Sequence, residues 1–115
     1  MCFKGDETFS PEKRIEGVHD NLFICIPPPY NDISFECGLW DFVNSRCGTM
    51  FDLYEEDSIS GESCLTVAMA IRDFLEGRPI NPKKAIESDF YSWMGLLIKF
   101  LVQCSEEQKE AELWL

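Results

Sequence analysis

The side chains of this chain that could hold a metal ion include six cysteines, a single histidine and 21 carboxylates. A zinc site takes four ligands, and its cysteines and histidines usually lie in close sequence pairs. Here successive cysteines are at least ten residues apart, and His19 is the only imidazole. A cysteine nucleophile would also depend on His19 as its general base. We therefore interpret His19 as a surface or loop residue and predict that the chain holds no metal and no cofactor.

The carboxylates are densest between Asp52 and Glu62. A calcium loop of the EF-hand type has oxygen ligands at alternating positions, a central glycine and a terminal glutamate. This stretch contains apolar Ile59 and has no glycine in its middle, so the pattern fails, and only weak, opportunistic cation binding stays open. It also has no accompanying nucleophile and no glycine-rich phosphate loop. The sequence therefore predicts that the protein is not an enzyme.

The amino terminus has no basic patch followed by an apolar run, which predicts that no secretory signal is present and that the protein is cytoplasmic. Cysteines normally stay reduced in that compartment, so we expect free thiols that pack as small hydrophobic groups. The longest apolar stretch, Trp93 to Val102, is interrupted by Lys99. It is also about half the length needed to cross a bilayer, which predicts no membrane association.

The distribution of charge is the main functional signal. The net charge is −11, and between residues 15 and 76 twelve acidic residues are opposed only by Arg46 and Arg72. Apolar residues make up 45% of the chain and aromatic residues 13%, so the acidity decorates a folded body and not a disordered tail. Such a surface attracts cationic partners and repels nucleic acid and anionic membranes. The alternative is an acidic face that serves solubility alone.

The clearest predicted element is a helix from about Gly61 to Glu76. Its apolar residues recur at spacings of three and four, which places them on one face. Ser58 or Ser60 is the predicted N-cap, and the helix should end at Gly77. The residues on the apolar face are Cys64, Val67, Ala68, Ile71, Phe74 and Leu75.

A second helix is predicted from Ser88, as its N-cap, to Cys104. Leu96 and Phe100 extend its apolar face almost all round, and Lys99 is the one charged residue within it. It is therefore either the central helix of the fold or a helix with one side covered by a partner. The residues on its main face are Phe90, Trp93, Met94, Leu97, Ile98, Leu101 and Val102.

The first half of the chain gives weaker patterns. Residues 1–20 are predicted to be irregular, and residues 22–26 form a short β-rich run that the following prolines must end. Residues 33–43 fit a strand, a helix or irregular structure, because Gly38 argues against a continuous helix. Residues 48–60 are predicted to be a loop anchored by Phe51, Leu53 and Tyr54.

The tail from residue 105 is polar until its last three positions, Leu113, Trp114 and Leu115. We predict that it folds back and docks through Trp114, with a short partner-binding motif as the alternative. A chain of this length forms one domain with its own core. The predicted fold for residues 1–115 is therefore a mainly α single domain with a minor β element, and the alternative is α+β with a small antiparallel sheet.

Three passages of the chain carry a resemblance to a known group of proteins. They are Met50 to Gly61, the helix end from Arg72 to Pro79, and the start of the second apolar helix from Phe90 to Trp93. Over roughly residues 46–104 the sequence resembles small acidic bacterial immunity proteins of polymorphic-toxin and contact-dependent growth inhibition systems. The resemblance implies a cytoplasmic protein that binds one cognate toxin domain, commonly a nuclease, and blocks its active site.

Carboxylates interleaved with aromatic residues give this interpretation a physical basis. A nuclease site must be basic to hold phosphate, so carboxylates can occupy it in place of phosphate oxygens and accelerate the encounter. Aromatic rings beside the carboxylates supply contact area, with Trp40 or Tyr54 as the desolvated anchor. The predicted partner-binding residues are Trp40, Asp41, Asp52, Tyr54, Glu55, Glu56 and Asp57.

Two other functions remain open at this stage. An acidic DNA-mimic inhibitor of a nucleic-acid-binding protein would use the same charge, but it should space its carboxylates like successive phosphates, whereas this chain clusters them with aromatic residues. A non-catalytic adaptor subunit of a larger complex would explain the very apolar second helix. A well-behaved monomer, which we expect, favours an inhibitor over a subunit.

Overall fold

The computed structural model of the chain describes residues 1–5, 23–52, 55–78 and 84–115. Within these ranges the chain forms four helices and one four-stranded antiparallel sheet, which confirms the predicted mainly α fold with a minor β element. The strands are β1 (Cys2–Lys4), β2 (Phe23–Cys25), β3 (Glu56–Ile59) and β4 (Ala111–Trp114). The helices are α1 (Tyr30–Glu36), α2 (Leu39–Cys47), α3 (Gly61–Glu76) and α4 (Ala85–Glu106).

The sheet has the strand order β2-β1-β4-β3, and all of its pairs are antiparallel. Because successive side chains of a strand point to opposite faces, the register divides the sheet into a buried and an exposed face. Phe3 lies opposite Ile24 and Leu113, Ile59 lies opposite Ala111, and these five side chains are buried. The sheet therefore covers one side of the hydrophobic core.

Helices α3 and α4 provide most of the remaining core, as the periodicity predicts. The N-cap of α3 is Ser60, whose Oγ accepts a hydrogen bond from the Ser63 N–H at 3.3 Å. Helix α4 begins earlier than predicted, with Lys84 as N-cap, so the assignment of Ser88 as the cap is wrong. Its residues Leu97 and Phe100 are fully buried, which makes α4 the central helix. No helix within the described residues is long and apolar enough to cross a membrane.

The first half of the chain corrects two predictions. Residues 33–43 fall in two helices, α1 and α2, which are separated at Gly38, where φ is +89°. Glycine adopts this left-handed conformation without a steric penalty. The predicted loop at residues 48–60 contains strand β3, and the predicted irregular segment at residues 1–20 contains β1, with residues 6–20 outside the described ranges. The strand predicted at residues 22–26 is confirmed as β2.

The carboxyl-terminal tail docks on the fold as strand β4, but not through the predicted side chain. Ala111, Leu113 and Leu115 are buried, whereas Trp114 keeps 36% of its surface exposed. The prediction that the tail docks is thus confirmed, and the choice of Trp114 as its anchor is wrong. The strand alternation that buries Leu113 turns its neighbour outward.

Cys2 and Cys25 form a disulfide, so the prediction that all six cysteines are free thiols is wrong. The two residues lie directly opposite each other on β1 and β2, with their Cα atoms 4.1 Å apart. Their separation of 23 positions does not by itself indicate a disulfide, and the pairing of β1 with β2 that brings them together was not predicted. The four other cysteines are free, and Cys64 and Cys104 are fully buried as expected.

The start of α3 lies tightly against the turn before β4, which leads to a first prediction. A Cβ on Gly61 would lie 2.6 Å from the carbonyl carbon of Gln108 and 2.9 Å from the backbone nitrogen of Lys109, neither of which can rotate away. Gly61→Ala is expected to lower the free energy of unfolding by about 1–3 kcal/mol. Gly95→Ala is the matched control, because a Cβ there meets nothing within 4 Å.

The control substitution Gly95→Ala lies in the middle of helix α4. It should stabilise the protein by about 0.5–1 kcal/mol, because alanine has a higher helix propensity than glycine. Urea denaturation of the two variants measures both effects. Changes of the same sign and size would contradict the close approach between Gly61 and the Gln108 backbone.

Candidate partner-binding surface

Trp40, one of the predicted partner-binding residues, is a core residue with 1% of its surface exposed. Its Nε1–H donates a hydrogen bond to Ser34 Oγ at 3.0 Å. Its ring centroid lies 6.3 Å from that of Phe3, 5.9 Å from that of Phe35 and 5.8 Å from that of Phe51. The prediction that Trp40 anchors a partner is therefore wrong. Its sequence neighbour Asp41 is exposed because consecutive helical residues point in different directions.

The other predicted residues fall on different elements. Asp41 lies on α2, and Asp52 is exposed shortly after that helix. Tyr54 lies outside the described residues, so its role stays a prediction. Glu55 is exposed, and its carbonyl oxygen accepts a hydrogen bond from the Leu115 N–H at 3.0 Å, which ties the start of β3 to the tail.

Glu56 and Asp57, the remaining two, help to line an open groove of about 350 Å³ between β3 and β4. On the outer face of the sheet the groove combines the carboxylates of Glu56, Glu110 and Glu112 with exposed Trp114, whereas the side chain of Asp57 alternates to the opposite face of β3. In the described part of the chain no three histidine, cysteine or acidic side chains are placed to hold a metal ion. The residues that line this acidic groove are Glu56, Asp57, Ser58, Glu110, Glu112, Leu113 and Trp114.

The register of the sheet fixes the order of side chains in the acidic groove. Trp114 on β4 is flanked by Glu56 on β3 and by Cys2 on β1. In the next row, Glu112 is flanked by Ser58 and by Lys4. The indole therefore lies between a carboxylate on one side and the Cys2 half of the disulfide on the other.

This arrangement is suited to the recognition of cations. Carboxylates accept short, charge-assisted hydrogen bonds from lysine and arginine, and an indole ring attracts a cation placed over its face. Lys4, opposite Glu112, balances part of the charge at one end of the acidic groove. The end formed by Glu56 and Trp114 is then the more favourable position for a cation supplied by a partner.

Comparison of the chain with family models, with curated proteins and with solved structures found no match. The chemistry of the acidic groove itself is therefore the basis for the function proposed below.

Sequence reasoning missed five of the seven residues that line the groove, among them Glu110, Glu112 and Trp114. One signal could have identified two of them. In the last five positions of the chain, buried Ala111, Leu113 and Leu115 alternate with exposed residues, which is the period of a half-buried strand. A strand predicted from this alternation would place the side chains of Glu112 and Trp114 on its solvent-exposed face.

Cys64 and Cys104 are buried thiols that lie against each other, and their surroundings favour packing over reactivity. The thiol of Cys104 hydrogen-bonds to the sulfur of Cys64, which lowers the pKa of Cys64 and, together with burial, raises the pKa of Cys104. Cys64 also donates to the Ile59 carbonyl oxygen at 3.7 Å. Both side chains have 0% exposure, so neither sulfur is open to a substrate.

Proposed function

We propose that this protein binds a basic protein partner through the acidic groove, and that it is an immunity protein that neutralises a cognate, nuclease-type toxin domain in the bacterial cytoplasm. The observation that supports the proposal best is the placement of three carboxylates, those of Glu56, Glu110 and Glu112, beside exposed Trp114 on the outer face of the sheet. The resemblance of residues 46–104 to small acidic immunity proteins suggests the identity of the partner.

The physics of inhibition is consistent with this function. A nuclease holds phosphate with lysine and arginine side chains, and the same side chains can hydrogen-bond to the carboxylates of Glu56, Glu110 and Glu112. The net charge of −11 steers a basic protein toward this surface before contact is made. Trp114 then provides an amphipathic side chain of the kind that contributes most to interface energies.

One observation favours an adaptor subunit as a second candidate. A shallow depression of about 270 Å³ on α4 is lined by Asp89, Ser92, Trp93 and Leu96. Much of the apolar surface of α4 is packed in the core, since Phe90, Met94, Leu97, Phe100 and Leu101 are buried. This depression is smaller than the acidic groove and carries one carboxylate, so we rank an adaptor below a charge-steered inhibitor.

The proposed function predicts that immobilised protein retains one basic protein from a lysate of its own bacterium at low salt and releases it at high salt. The released protein should cleave nucleic acid, and an equimolar amount of this protein should abolish that cleavage. Gel filtration of the mixture should give a one-to-one complex. A retained protein whose activity is unaffected by the complex would favour the adaptor function.

Neutralisation of three groove carboxylates, by Glu56→Gln, Glu110→Gln and Glu112→Gln together, should slow association with that partner by at least about tenfold. It should also flatten the dependence of the rate on salt, because fewer charges steer the encounter. Stopped-flow measurements over a range of ionic strength test both effects.

A matched control removes the same number of charges at exposed positions outside the acidic groove. It combines Glu36→Gln, Glu62→Gln and Glu106→Gln, which lie on helices α1, α3 and α4. We expect the control to lose little of the rate. Equal losses in the two triple variants would mean that net charge alone, and not the acidic groove, steers the partner.

A further inference from the structure

Strand β3 forms an edge of the sheet in the part of the chain that the structure describes. The Leu115 N–H donates to the Glu55 carbonyl, and in an antiparallel ladder every second residue bonds to its neighbouring strand. The backbone groups of Glu56 and Ser58 therefore point away from β4, toward the open side. The hydrogen bond of the Ser58 N–H is consistent with this direction, because the N–H donates to Asp57 Oδ1 at 2.8 Å and not to β4.

The same two residues turn their side chains to the outer face of the sheet, since Glu56 lies opposite exposed Trp114 and Ser58 opposite exposed Glu112. A strand added to the open side of β3 would thus place every second side chain beside Glu56. That position also has Trp114 as its next neighbour across the sheet. Lysine or arginine is the side chain that suits a carboxylate next to an indole.

A second copy of this chain does not fit the open side of β3. Pairing of two β3 strands would bring Glu56 and Asp57 of both molecules together, and like charges on paired strands are destabilising. Charged residues on edge strands protect proteins from such self-association. The charge of this edge thus selects against its own copy and in favour of a basic segment.

We propose that β3 accepts an extended basic segment of a protein partner as a fifth strand, with the lysine or arginine side chains of that segment over the acidic groove. This inference rests on the proposed binding of a basic partner and specifies how the partner is held. Main-chain hydrogen bonds to Glu56 and Ser58 supply affinity, and the alternating side chains supply specificity. Asp57 accepts a hydrogen bond from the Ser58 N–H in the free protein, and the added strand replaces this bond with one from the Ser58 N–H to its own backbone carbonyl.

Synthetic peptides test the added strand directly. The probe is a peptide about six residues long, a typical strand length, that alternates lysine and valine. Two further versions carry N-methyl groups either on the central lysines or on the central valines. Both keep the full charge of the probe, but each removes backbone N–H groups from a different side of the strand. Fluorescence anisotropy at physiological ionic strength gives the Kd of each peptide.

Because all pairs in this sheet are antiparallel, methylation of the lysines should raise the Kd at least tenfold, whereas methylation of the valines should change it less than twofold. A preference of the opposite sense also supports an added strand, in parallel orientation. Equal affinities of the two methylated peptides would overturn the strand and leave charge-based binding at the acidic groove intact. No binding of any peptide would overturn the inference as well.

A protein variant gives a second, independent test. Ser58→Pro removes the outward N–H without removing a hydrogen bond to β4, and edge strands tolerate proline at such positions. Its melting temperature should stay close to that of the native protein, while the Kd of the unmethylated probe rises at least tenfold. The control is Ser58→Ala, which keeps the N–H and should bind the probe as the native protein does. A proline placed elsewhere, such as Ser92→Pro, is not a suitable control because residue 92 lies inside helix α4. An unchanged Kd in Ser58→Pro would overturn the added strand.

Discussion

Replacement of Trp40 by alanine is expected to lower the free energy of unfolding by about 3–5 kcal/mol, the usual cost of deleting a large buried aromatic side chain. The loss removes ring contacts with Phe3, Phe35 and Phe51, which come from three different parts of the fold. It also removes the donor to Ser34 Oγ, a buried hydroxyl that itself donates to the Asn31 carbonyl at 2.6 Å. Chemical denaturation followed by circular dichroism gives the value.

Trp40→Phe is the informative companion variant. It keeps most of the ring volume and loses the N–H, so we expect a cost of about 1–2 kcal/mol, and unchanged affinity for a partner that binds the acidic groove. A loss of less than about 1 kcal/mol in Trp40→Ala would place the indole outside the core. Unchanged stability of Trp40→Phe together with weakened partner binding would restore Trp40 as an interface residue.

Loss of the Cys2–Cys25 disulfide is the second large effect. The bond closes a loop across 23 sequence positions, for which the chain-entropy model gives about 3 kcal/mol of stabilisation. The double variant Cys2→Ser, Cys25→Ser should lose about this amount in urea denaturation. Reductant should destabilise the native protein to a similar extent and leave the variant unchanged. Cys47→Ser, at a half-buried free thiol on α2, is the control.

The same bond provides a test of the compartment. Disulfides persist in oxidising environments and are rare in the cytoplasm, where thiols are kept reduced. If the protein acts in the cytoplasm, lysis of the cells directly into denaturant that contains an alkylating agent should label all six cysteines. Labelling of four would show that the disulfide is present in the cell and would contradict the proposed location.

The two long helices were predictable from sequence because each buries a continuous face, so the helical period is visible over four or more turns. The strands were not, with the exception of β2. Strand β1 has only three residues, and β3 has the sequence Glu56-Asp57-Ser58-Ile59, whose acidic residues are rare in strands. Both strands are held by pairing with β4, which lies more than fifty positions from β3 along the chain. Local sequence patterns do not indicate a pairing between such distant segments.

The candidate site was predicted in part for a related reason. The carboxylates of Glu56 and Asp57 were identified because their charge is apparent from the residue type. The aromatic residue beside them was predicted wrongly, because residues that are adjacent in sequence, such as Trp40 and Asp41, need not share a surface. Trp40 lies on the core-facing side of helix α2, whereas Trp114 lies beside Glu56 because of the register between β3 and β4. Such a neighbour is set by tertiary pairing alone.

The position of β4 between β1 and β3 also sets an order of events during folding. Helices α3 and α4 are neighbours in the chain, so their contacts are local and can form early. Strands β1 and β3 have no contact with each other in the sheet and join only when residues 111–114 lie between them. A folding intermediate in which β4 has not yet docked therefore has two strands without their common neighbour, and unpaired strand edges of this kind are prone to aggregate.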